Sequence, residues 1–533
     1  MKRTFTNCLC LIPIVFLGIA LSANNRFNVT GNELDGGRGI LSSSPVAQVA
    51  EPAVLPIAHG QEKWLGGVYS QSQVRDFTLY WNQVTPENAG KWGSVESTRD
   101  VMRWGELDNA YKLAKDNGFP FRFHVLVWGN QQPSWIENLP PEEQLAEIEE
   151  WFTLVAERYP DIEYLEVVNE PLHDPPRRTS ATDSGAGNYY EALGGAGETG
   201  WDWILNSFRM ARRIFPATTK LMINDYNIVS STSNANRYMG IINLLKNENL
   251  IDGIGVQAHA FSTRGSAASI KSIVDLLATL GLPIQATEMD IDGPDDLVHI
   301  RDYQKIFPVF WEHPMVEGIT LWGYRPGMWR TDQGAFLINR KGEERPALKW
   351  LRAYVEGTWI PVQTITMSAE GDVTQIDSIG GQIQFQAQVT PSDATVSNVY
   401  WRVNKPNVAT IDENGLLTAL AQGTVTVTAV AGDGSNKQAA LEINSMGLIK
   451  GVNRSGLTGI GLYPNPVIDK LYLTGFDGWG TITISSVTGG AVKKIESIGP
   501  DGSIDMSDLP KGLYIVRIKS HNGEVFTGRA VKR

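Results

Sequence analysis

The stretch YLEVVNEPLHD, residues 164–174, combines a buried-strand pattern with a polar ending. Its first half is apolar enough for an internal strand, and it closes on Asn169 and Glu170 before a proline. Glutamate is almost never fully buried unless it is paired. The stretch therefore predicts an internal strand whose last residues belong to a polar site.

Seven further strand-like segments alternate with helical patterns such as PEEQLAEIEEWFTLVAERY. They are KWLGGVY (63–69), FTLYWNQV (77–84), FRFHVLVW (121–128), KLMINDY (220–226), IDGIGVQAH (251–259), PIQATEMDI (283–291) and VEGITLWGY (316–324). Eight strands that alternate with helices predict a (β/α)8 TIM barrel, which we place at residues 61–358. A doubly wound open sheet is the alternative, but no G-x-G-x-x-G follows the first strand.

After residue 360 the helical period disappears and short alternating strands follow. In GQIQFQAQV (381–389) every second residue is apolar, which is typical of a half-buried strand. We predict a β-sandwich over residues 361–446 and a small all-β domain over 460–533. The predicted fold class is therefore α/β, a TIM barrel followed by two all-β domains.

The first residues have the layout of a secretory signal peptide. Two basic residues precede an apolar run and then small residues, which predicts a signal peptide over residues 1–23. The alternative, a membrane anchor, would need about 20 apolar residues, and this run is shorter. Cys8 and Cys10 are the only cysteines, so the mature chain would have neither a disulfide nor a catalytic thiol. Residues 24–60 are interpreted as a linker.

The overall composition narrows the classes of partner. The chain has 42% hydrophobic and 20% charged residues, which indicates a folded protein, and no second long apolar run that could span a membrane. A net charge of -12 argues against a nucleic-acid partner, because phosphate binding depends on clustered Lys and Arg. No Walker loop and no G-x-S-x-G is present, and we expect no cofactor.

Polar side chains follow nearly every predicted strand. In a TIM barrel the carboxyl ends of the strands form one rim, where catalytic groups stand. Polar groups that converge on one rim are best explained by a polar ligand. The candidates are Glu87, Asn88, Lys91, His124, Trp128, Gln131, Asn169, Glu170, Tyr226, Gln257, His259, Glu288, Asp290 and Trp322, with Trp329 in the following loop.

Two of these candidates, Glu170 and Glu288, are carboxylates that each close an apolar strand. A pair of Asp or Glu residues on either side of a bond is what glycoside hydrolysis requires. Tryptophans at the rim suit the same chemistry, because a sugar packs its C–H face on an aromatic ring. Metal binding by His124, His173 and His259 is the rival chemistry, but no H-E-x-x-H spacing is present and we expect no metal.

Several motifs in order carry a resemblance to a known family. They are WNQVTPENAGKW, FHVLVWGNQQPSW, LEVVNEP, NDYN, GIGVQAH, ATEMDI and ITLWG. With these segments, residues 61–356 resemble the family 10 glycoside hydrolases, the endo-β-1,4-xylanases. The resemblance implies hydrolysis of internal β-1,4-xylosidic bonds of xylan with retention of configuration.

The resemblance also implies a role for each candidate. Glu170 would be the general acid/base and Glu288 the nucleophile, in a double displacement. Asn169 would bind the 2-hydroxyl of the sugar under attack, while His259, held by Asp290, would hydrogen-bond Glu288. Glu87, Asn88 and Lys91 would hold the next sugar on the non-reducing side. The rest of the cleft would be lined by His124, Trp128, Gln131, Tyr226, Gln257, Trp322 and Trp329.

Three departures from the family pattern bear on specificity. Gly129 stands where the family commonly has a histidine after Trp128. The loop GYRPGM differs from the usual loop between Trp322 and Trp329. An insertion at residues 177–200 lengthens the loop that follows Glu170.

The two β-rich blocks carry resemblances of their own. The first looks like the bacterial immunoglobulin-like domains that serve as spacers in surface proteins. The second, with LYPNPVIDKLYL and KGLYIVRI, resembles the C-terminal sorting domain of the type IX secretion route. We therefore expect a secreted or surface-attached protein whose partners are xylan, xylo-oligosaccharides and the secretion machinery. Two alternatives stay open: another retaining β-1,4-glycanase acting on β-glucan or cellulose, and a catalytically weak xylan-binding protein.

Overall fold

Eight parallel strands form the first sheet of the computed structural model, which describes residues 55–177, 188–449, 460–476, 478–487, 490–499, 502–521 and 523–533. The strands are β1 (Trp64–Tyr69), β2 (Val84–Pro86), β3 (Arg122–Phe123), β4 (Tyr164–Asn169), β5 (Lys220–Asn224), β6 (Gly253–Val256), β7 (Ile284–Met289) and β8 (Val316–Leu321). The predicted signal peptide and most of the predicted linker lie outside the described residues.

The strand order is β2-β1-β8-β7-β6-β5-β4-β3, and each adjacent pair is parallel. A parallel bridge between Val84 and Phe121 joins the two ends of this order, so the sheet closes on itself. The predicted TIM barrel is confirmed. Its packed core begins before Gln61, because Ile57 and Ala58 are buried in it.

Helices alternate with these strands and cover the outside of the barrel. They are α1 (Trp92–Val95), α2 (Gly105–Asn117), α3 (Pro141–Arg158), α4 (Asp202–Ile214), α5 (Thr232–Asn247), α6 (Ala267–Ala278), α7 (Asp296–Trp311) and α8 (Pro346–Glu356). Capping side chains set the start of three helices: Ser231, Ser266 and Asp295 cap the amino ends of α5, α6 and α7. Within the described residues, no helix is long and apolar enough to cross a bilayer.

The second strand differs from its prediction over residues 77–84. Phe77–Leu79 forms a 3-10 helix instead, and the strand begins only at Val84. The side chains of Phe77 and Trp81 both lie against the backbone of Gly67 in β1, and the amide of Trp81 donates to the carbonyl of Phe77. A helical turn lets the rings of Phe77 and Trp81 both face the core. In an extended segment, the backbone between these two residues would lie farther from the core.

An ion pair lies inside the barrel below the carboxyl ends of the strands. Arg122 of β3 and Glu166 of β4 are 1% and 0% exposed, and Arg122 Nε lies 3.1 Å from Glu166 Oε1. His124 Nδ1 contacts the other carboxylate oxygen of Glu166 at 2.7 Å. A buried charge is tolerated only when it is paired and hydrogen-bonded, so these residues depend on one another.

We expect Arg122→Met to reduce the free energy of unfolding of the barrel by about 3–5 kcal/mol, because it leaves a buried carboxylate without its cation. Urea unfolding followed by tryptophan fluorescence measures the loss. The double variant Arg122→Met/Glu166→Leu is the control and should lose clearly less, since no charge is left unpaired. A single variant as stable as the parent would show that Glu166 does not need this cation.

The second domain is a sandwich of two four-stranded sheets, in the orders β10-β16-β15-β12 and β13-β14-β11-β9. Apolar residues of both sheets form one core, including Phe385 from one and Val427 from the other. The predicted alternation in GQIQFQAQV is confirmed, since Ile383, Phe385 and Val389 are buried. Its strands are β9 (Thr364–Ala369), β10 (Gln375–Ile379), β11 (Gln382–Thr390), β12 (Val399–Val403), β13 (Ala409–Ile411), β14 (Leu416–Ala419), β15 (Gly423–Ala431) and β16 (Gln438–Ile449).

The sandwich contacts the barrel at α7. The hydroxyl of Tyr400 donates to Asp296 Oδ2 at 2.9 Å, and Gln304 Nε2 donates to the carbonyl of Asp433 at 2.7 Å. Val396 is buried within the same apolar cluster as the barrel core. The two domains therefore share a packed and hydrogen-bonded surface.

The last domain contains one three-stranded sheet and one four-stranded sheet in its described residues. Leu471, Ile482 and Val516 belong to its separate apolar core. The strands are β17 (Gly461–Tyr463), β18 (Lys470–Thr474), β19 (Gly480–Ser486), β20 (Ala491–Ile498), β21 (Ser503–Asp505), β22 (Gly512–Ser520) and β23 (Val525–Lys532).

Candidate active site

Glu170 lies directly after the last residue of β4, where the chain turns sharply. Its φ is 54°, in the left-handed region that few residues other than glycine adopt, and its amide donates to the carbonyl of Asn224 at 2.7 Å. The side chain is 8% exposed. Gln257 Nε2 donates to one carboxyl oxygen at 2.7 Å, and Trp128 Nε1 donates to the other at 2.6 Å. Both donors are neutral.

The surroundings of Glu170 favour its protonated form. Burial is the largest cause and raises the pKa of the carboxyl to about 8, against the opposing effect of the hydrogen bond from Gln257. The negative charges of Glu288 and Asp174 raise the pKa further. The carboxyl group therefore keeps its proton at neutral pH.

The surroundings of Glu288 in β7 favour its ionised form instead. Burial alone would raise the pKa of its carboxyl, but the hydrogen bond from His259 and the charges of His259 and Arg122 lower the pKa to about 2. Asn224 Nδ2 donates to one carboxylate oxygen at 2.8 Å, and His259 Nε2 lies 3.3 Å from the other. Glu288 is therefore ionised at neutral pH.

His259 is held between two acids. Its Nδ1 lies 2.8 Å from Asp290 Oδ2, on the side away from Glu288. Burial opposes protonation, but the charge of Asp290 and the hydrogen bonds of both acids raise the pKa of the imidazole to about 9. Trp329 Nε1 also donates to Asp290 Oδ2, at 2.9 Å. The imidazolium can thus donate one N–H to each acid at neutral pH.

Three amide side chains connect the two glutamates. Gln257, which donates to Glu170, also lies 3.3 Å from Asn169 Oδ1, and Asn224 Nδ2 lies 3.1 Å from the same oxygen and donates to Glu288. Asn169 Oδ1 therefore accepts from both sides. This leaves the Asn169 amide nitrogen, which has no hydrogen-bond partner among the residues that the structure describes, available to an oxygen of a ligand.

A second polar group lies beside Trp128. Lys91 Nζ donates to Asn88 Oδ1 at 2.9 Å and to Gln131 Oε1 at 2.6 Å, and it lies 5.0 Å from the centre of the Trp128 ring. Burial lowers the pKa of Lys91, while Glu288, Glu87 and Glu170 raise it. Glu87 is half-buried, and its carboxylate acts on Lys91 through its charge.

Aromatic rings surround the two glutamates. Trp322 lies edge-on to His124 at 5.2 Å, and Trp329 lies 4.7 Å from His259 between ring centres. Trp322 is 6% exposed, whereas Trp329 is 49% exposed. Tyr226 is farther out, stacked on His173 at 4.1 Å, and its hydroxyl donates to Asp174. The structure therefore brings the predicted site residues to one rim, with Glu87 and Tyr226 at its margin.

The arrangement provides one protonated and one ionised carboxyl group on the same hydrogen-bonded rim, with aromatic rings beside them. The model of glycosyl hydrolase family 10 matches residues 58–354, which is more than half of the chain. The chain belongs to this family. The models of the bacterial Ig-like domain (group 2) and of the secretion system C-terminal sorting domain match residues 361–442 and 461–532.

Individual relatives of this family 10 chain match the barrel region. It is 41% identical over 296 residues to endo-1,4-beta-xylanase B of Cellvibrio japonicus, covering 54% of this chain and 45% of that protein. It is 29% identical over 274 residues to endo-1,4-beta-xylanase A of Caldicellulosiruptor saccharolyticus, covering 47% of this chain and 77% of that protein. The chain thus spans less than half the length of the first relative. Xylanase 10B from Thermotoga maritima aligns with a TM-score of 0.49 and 24% identity, over 56% of this chain and 97% of that one.

The unusual Gly129 has a packing explanation. A β-carbon there would lie 2.4 Å from the carbonyl oxygens of both Asp174 and Pro175. The Gly129 amide donates to the Asp174 carbonyl at 2.9 Å. The loop that follows Glu170 therefore occupies the space that a side chain at position 129 would fill.

Several residues on which this family 10 site depends are absent from the candidates predicted from the sequence. They are Asn224, which donates to Glu288, and the buried pair of Glu166 and Arg122. A carboxylate in the middle of the apolar run YLEVVN was the available signal. Potential ligand atoms of His124, Glu166 and Glu288 lie within 4.8 Å of one another, a grouping that the sequence-based candidates for a metal site did not include. Glu166 is paired with Arg122, and Glu288 accepts from Asn224.

We expect Glu170→Gln to stabilise the protein increasingly as the pH rises from 5 to 8. Between its unfolded pKa near 4.5 and its folded pKa near 8, Glu170 ionises only in the unfolded chain, so the parent protein loses stability as the pH rises. Glutamine cannot ionise and avoids this loss, which is at most on the order of 4 kcal/mol.

Thermal unfolding of both proteins between pH 5 and pH 9 measures this effect. The exposed Glu62→Gln is the control, with a difference from the parent that does not vary with pH over this range. A stability gain of Glu170→Gln that is the same at pH 5 and pH 8 would contradict a raised pKa at this residue.

Proposed function

We propose that this protein is a secreted, retaining endo-1,4-β-xylanase, with Glu170 as the general acid/base and Glu288 as the nucleophile. The observation that carries the proposal is the opposite protonation of the two carboxyl groups, with pKa values of about 8 and about 2. Pairs of carboxyl groups whose surroundings separate their pKa values identify the acid and the base of a site.

The first step of the proposed reaction uses both groups at once. Glu170 gives its proton to the oxygen of the scissile glycosidic bond, and the Glu288 carboxylate bonds to the anomeric carbon as that oxygen departs. The leaving chain carries away the proton, and a covalent glycosyl ester on Glu288 remains. His259 stabilises the carboxylate before the step and again when the ester breaks.

The second step reverses these roles. Glu170, now ionised, takes a proton from a water molecule that attacks the anomeric carbon, and the bond to Glu288 breaks. Two inversions leave the configuration retained. Glu170 is then protonated again and Glu288 is again a carboxylate, so the site is ready for another cycle.

The substrate would lie along the same rim. We assign the amide nitrogen of Asn169 to the 2-hydroxyl of the sugar under attack, and Glu87, Asn88 and Lys91 to the next sugar on the non-reducing side. The remaining predicted contacts, which line the cleft, are His124, Trp128, Gln131, Tyr226, Gln257, Trp322 and Trp329. The family relationship and the xylanases among the relatives support xylan as the substrate.

The remaining segments fit export. We infer a signal peptide at residues 1–23, a linker over 24–60, a catalytic domain over 61–358, an Ig-like spacer over 361–446 and a sorting domain over 460–533. The match to the secretion system C-terminal sorting domain supports release from the cell or attachment to its surface through the secretion machinery.

The proposal is tested by the release of reducing ends from xylan, with carboxymethylcellulose as the rival substrate. We expect release from xylan and little from carboxymethylcellulose, and none from either with Glu288→Ala. Glu170→Ala should lose roughly 10²–10⁴-fold on xylan, in line with the loss of general acid/base catalysis.

Azide distinguishes the two roles. On an aryl xyloside whose leaving group needs no protonation, azide should restore turnover to Glu170→Ala and yield a β-glycosyl azide, because it replaces the activated water. In Glu288→Ala azide can act only in place of the missing nucleophile, by one direct displacement that gives the α-glycosyl azide, so the anomeric configuration of the azide product identifies each role. Glu62→Ala serves as the control for removing an exposed carboxylate. Undiminished hydrolysis in either active-site variant would refute the assignment.

We expect His259→Gln to move the acidic limb of the kcat/KM profile on xylan to higher pH. Without the imidazolium, burial of Glu288 is offset less, so its pKa rises and it becomes protonated at a higher pH. His313→Gln is the matched control, because this buried histidine lies between α7 and β8 and contacts Asp275 of α6. An acidic limb at the same pH in His259→Gln and the parent protein would show that another group sets the ionisation of Glu288.

A further inference from the structure

Asp174 is an acid near the site that the proposed mechanism does not use. It lies four residues after Glu170, and its amide donates to the Glu170 carbonyl at 2.8 Å, so one tight turn joins them. Asn130 Nδ2 donates to Asp174 Oδ1 at 3.1 Å, and the Tyr226 hydroxyl donates to Oδ2 at 3.2 Å. The carboxylate is therefore fixed in position through both oxygens.

Asp174, like Glu170, accepts only from neutral donors, whereas other acids of this rim contact a cation. Glu166 lies against Arg122, and His259 lies between Glu288 and Asp290. Among the residues that the structure describes, none forms an ion pair with Asp174. Its side chain is half-buried, so solvent screens its charge only in part. An uncompensated negative charge at this place acts against the ionisation of a neighbouring carboxyl group.

The charged and titratable groups around Glu170 come from several elements. Glu288 of β7 and Asp225 after β5 raise the pKa of Glu170 together with Asp174. The carboxylate of Asp225 lies 2.6 Å from His173 Nδ1 and so has a hydrogen-bond partner of its own. Cations on this rim include Lys91, which is bound to Asn88 and Gln131, and the imidazolium of His259, which lies between Glu288 and Asp290. Tyr226 contributes a neutral hydroxyl, since burial raises its pKa.

The absence of a side chain at Gly129 leaves room for the loop that positions Asp174 near Glu170. The Asp174 and Pro175 carbonyls lie where a β-carbon at position 129 would be. Even the smallest side chain would be 2.4 Å from two backbone oxygens, a separation that requires the loop to move. The loss of a side chain at position 129 and the placement of Asp174 are therefore one structural adaptation.

We propose that Asp174 is a positioning residue that keeps the proton on Glu170, and that Gly129 is present because it lets the loop hold Asp174 beside that acid. The proposal rests on the proposed role of Glu170 as general acid. Gly129 would thereby affect the pH range over which the enzyme is active.

Asp174→Asn is the direct test, because asparagine keeps the size of the side chain and removes its charge. The alkaline limb of the kcat/KM profile on an unsubstituted xylo-oligosaccharide should move to lower pH by roughly half a unit to one unit. Asp116→Asn, a surface acid of α2 paired with Lys112, is the matched control and should leave the limb in place. Asp174→Ala is a second variant with the same expected direction.

Gly129→Ala tests the role of the loop. It should move the alkaline limb in the same direction, because the displaced loop takes Asp174 away from Glu170. Added to Asp174→Asn, it should cause no further shift, since the charge it would displace is already gone. An equal shift from Gly129→Ala in both backgrounds would overturn the link between the two residues.

A titration that needs no turnover separates this proposal from the proposed function. Infrared difference spectra between each protein and its Glu170→Gln derivative follow the Glu170 carboxyl band with pH. The midpoint should be lower in Asp174→Asn than in the parent. Equal midpoints would overturn the role of Asp174 even if Glu170 is the acid. A lowered midpoint with an unmoved kinetic limb would instead show that Glu170 does not set that limb, and the proposed function would fail.

Discussion

The protonation states of the acids on the rim depend on a few buried cations, which are fewer than the acids around them. Arg122 lies against Glu166, and the imidazole of His259 lies between Glu288 and Asp290. Glu170 receives only the neutral N–H groups of Gln257 and Trp128. A carboxylate in a low-dielectric site is stable only with a compensating charge, so Glu170, which is buried and has no such charge beside it, keeps its proton. The two protonation states on the rim thus follow from the distribution of cations.

The barrel makes this distribution possible because it brings residues far apart in sequence to one ring of strand ends. Non-glycine residues with positive φ mark the places where this is most constrained. Gln131, Glu170 and Ala258 have φ values of 53°, 54° and 58°, and each lies in or next to the site. Such conformations cost about 1–3 kcal/mol each and persist only where the surroundings enforce them. The stability of the surrounding barrel compensates for this strain.

The sequence predicted the barrel and the convergence of its strand ends, because apolar strand-like segments, the helical patterns between them and the polar strand endings are local patterns. It did not predict the turn at Phe77–Leu79, since the packing of two aromatic rings on Gly67 is not visible in a linear pattern. Glu166 was missed for the opposite reason. Its signal was present in YLEVVN, but the partners that make it tolerable, Arg122 and His124, lie on another strand. Gly129 was noticed as a departure, and only its contact with the following loop explains it.

The contact with the Ig-like domain is linked to the same charge arrangement through α7. This helix follows β7, the strand that carries Glu288, and Asp296 at its first turn accepts from Arg345 at 2.6 Å and from Tyr400 of the sandwich at 2.9 Å. Arg345 in turn donates to the carbonyls of Phe336 and Gly293, which hold the loops after β8 and β7. The loop after β8 supplies Trp329, whose N–H reaches Asp290 behind His259. Hydrogen bonds therefore link the sandwich, through Asp296 and Arg345, to the loops after β7 and β8, and the loop after β8 also carries Trp329.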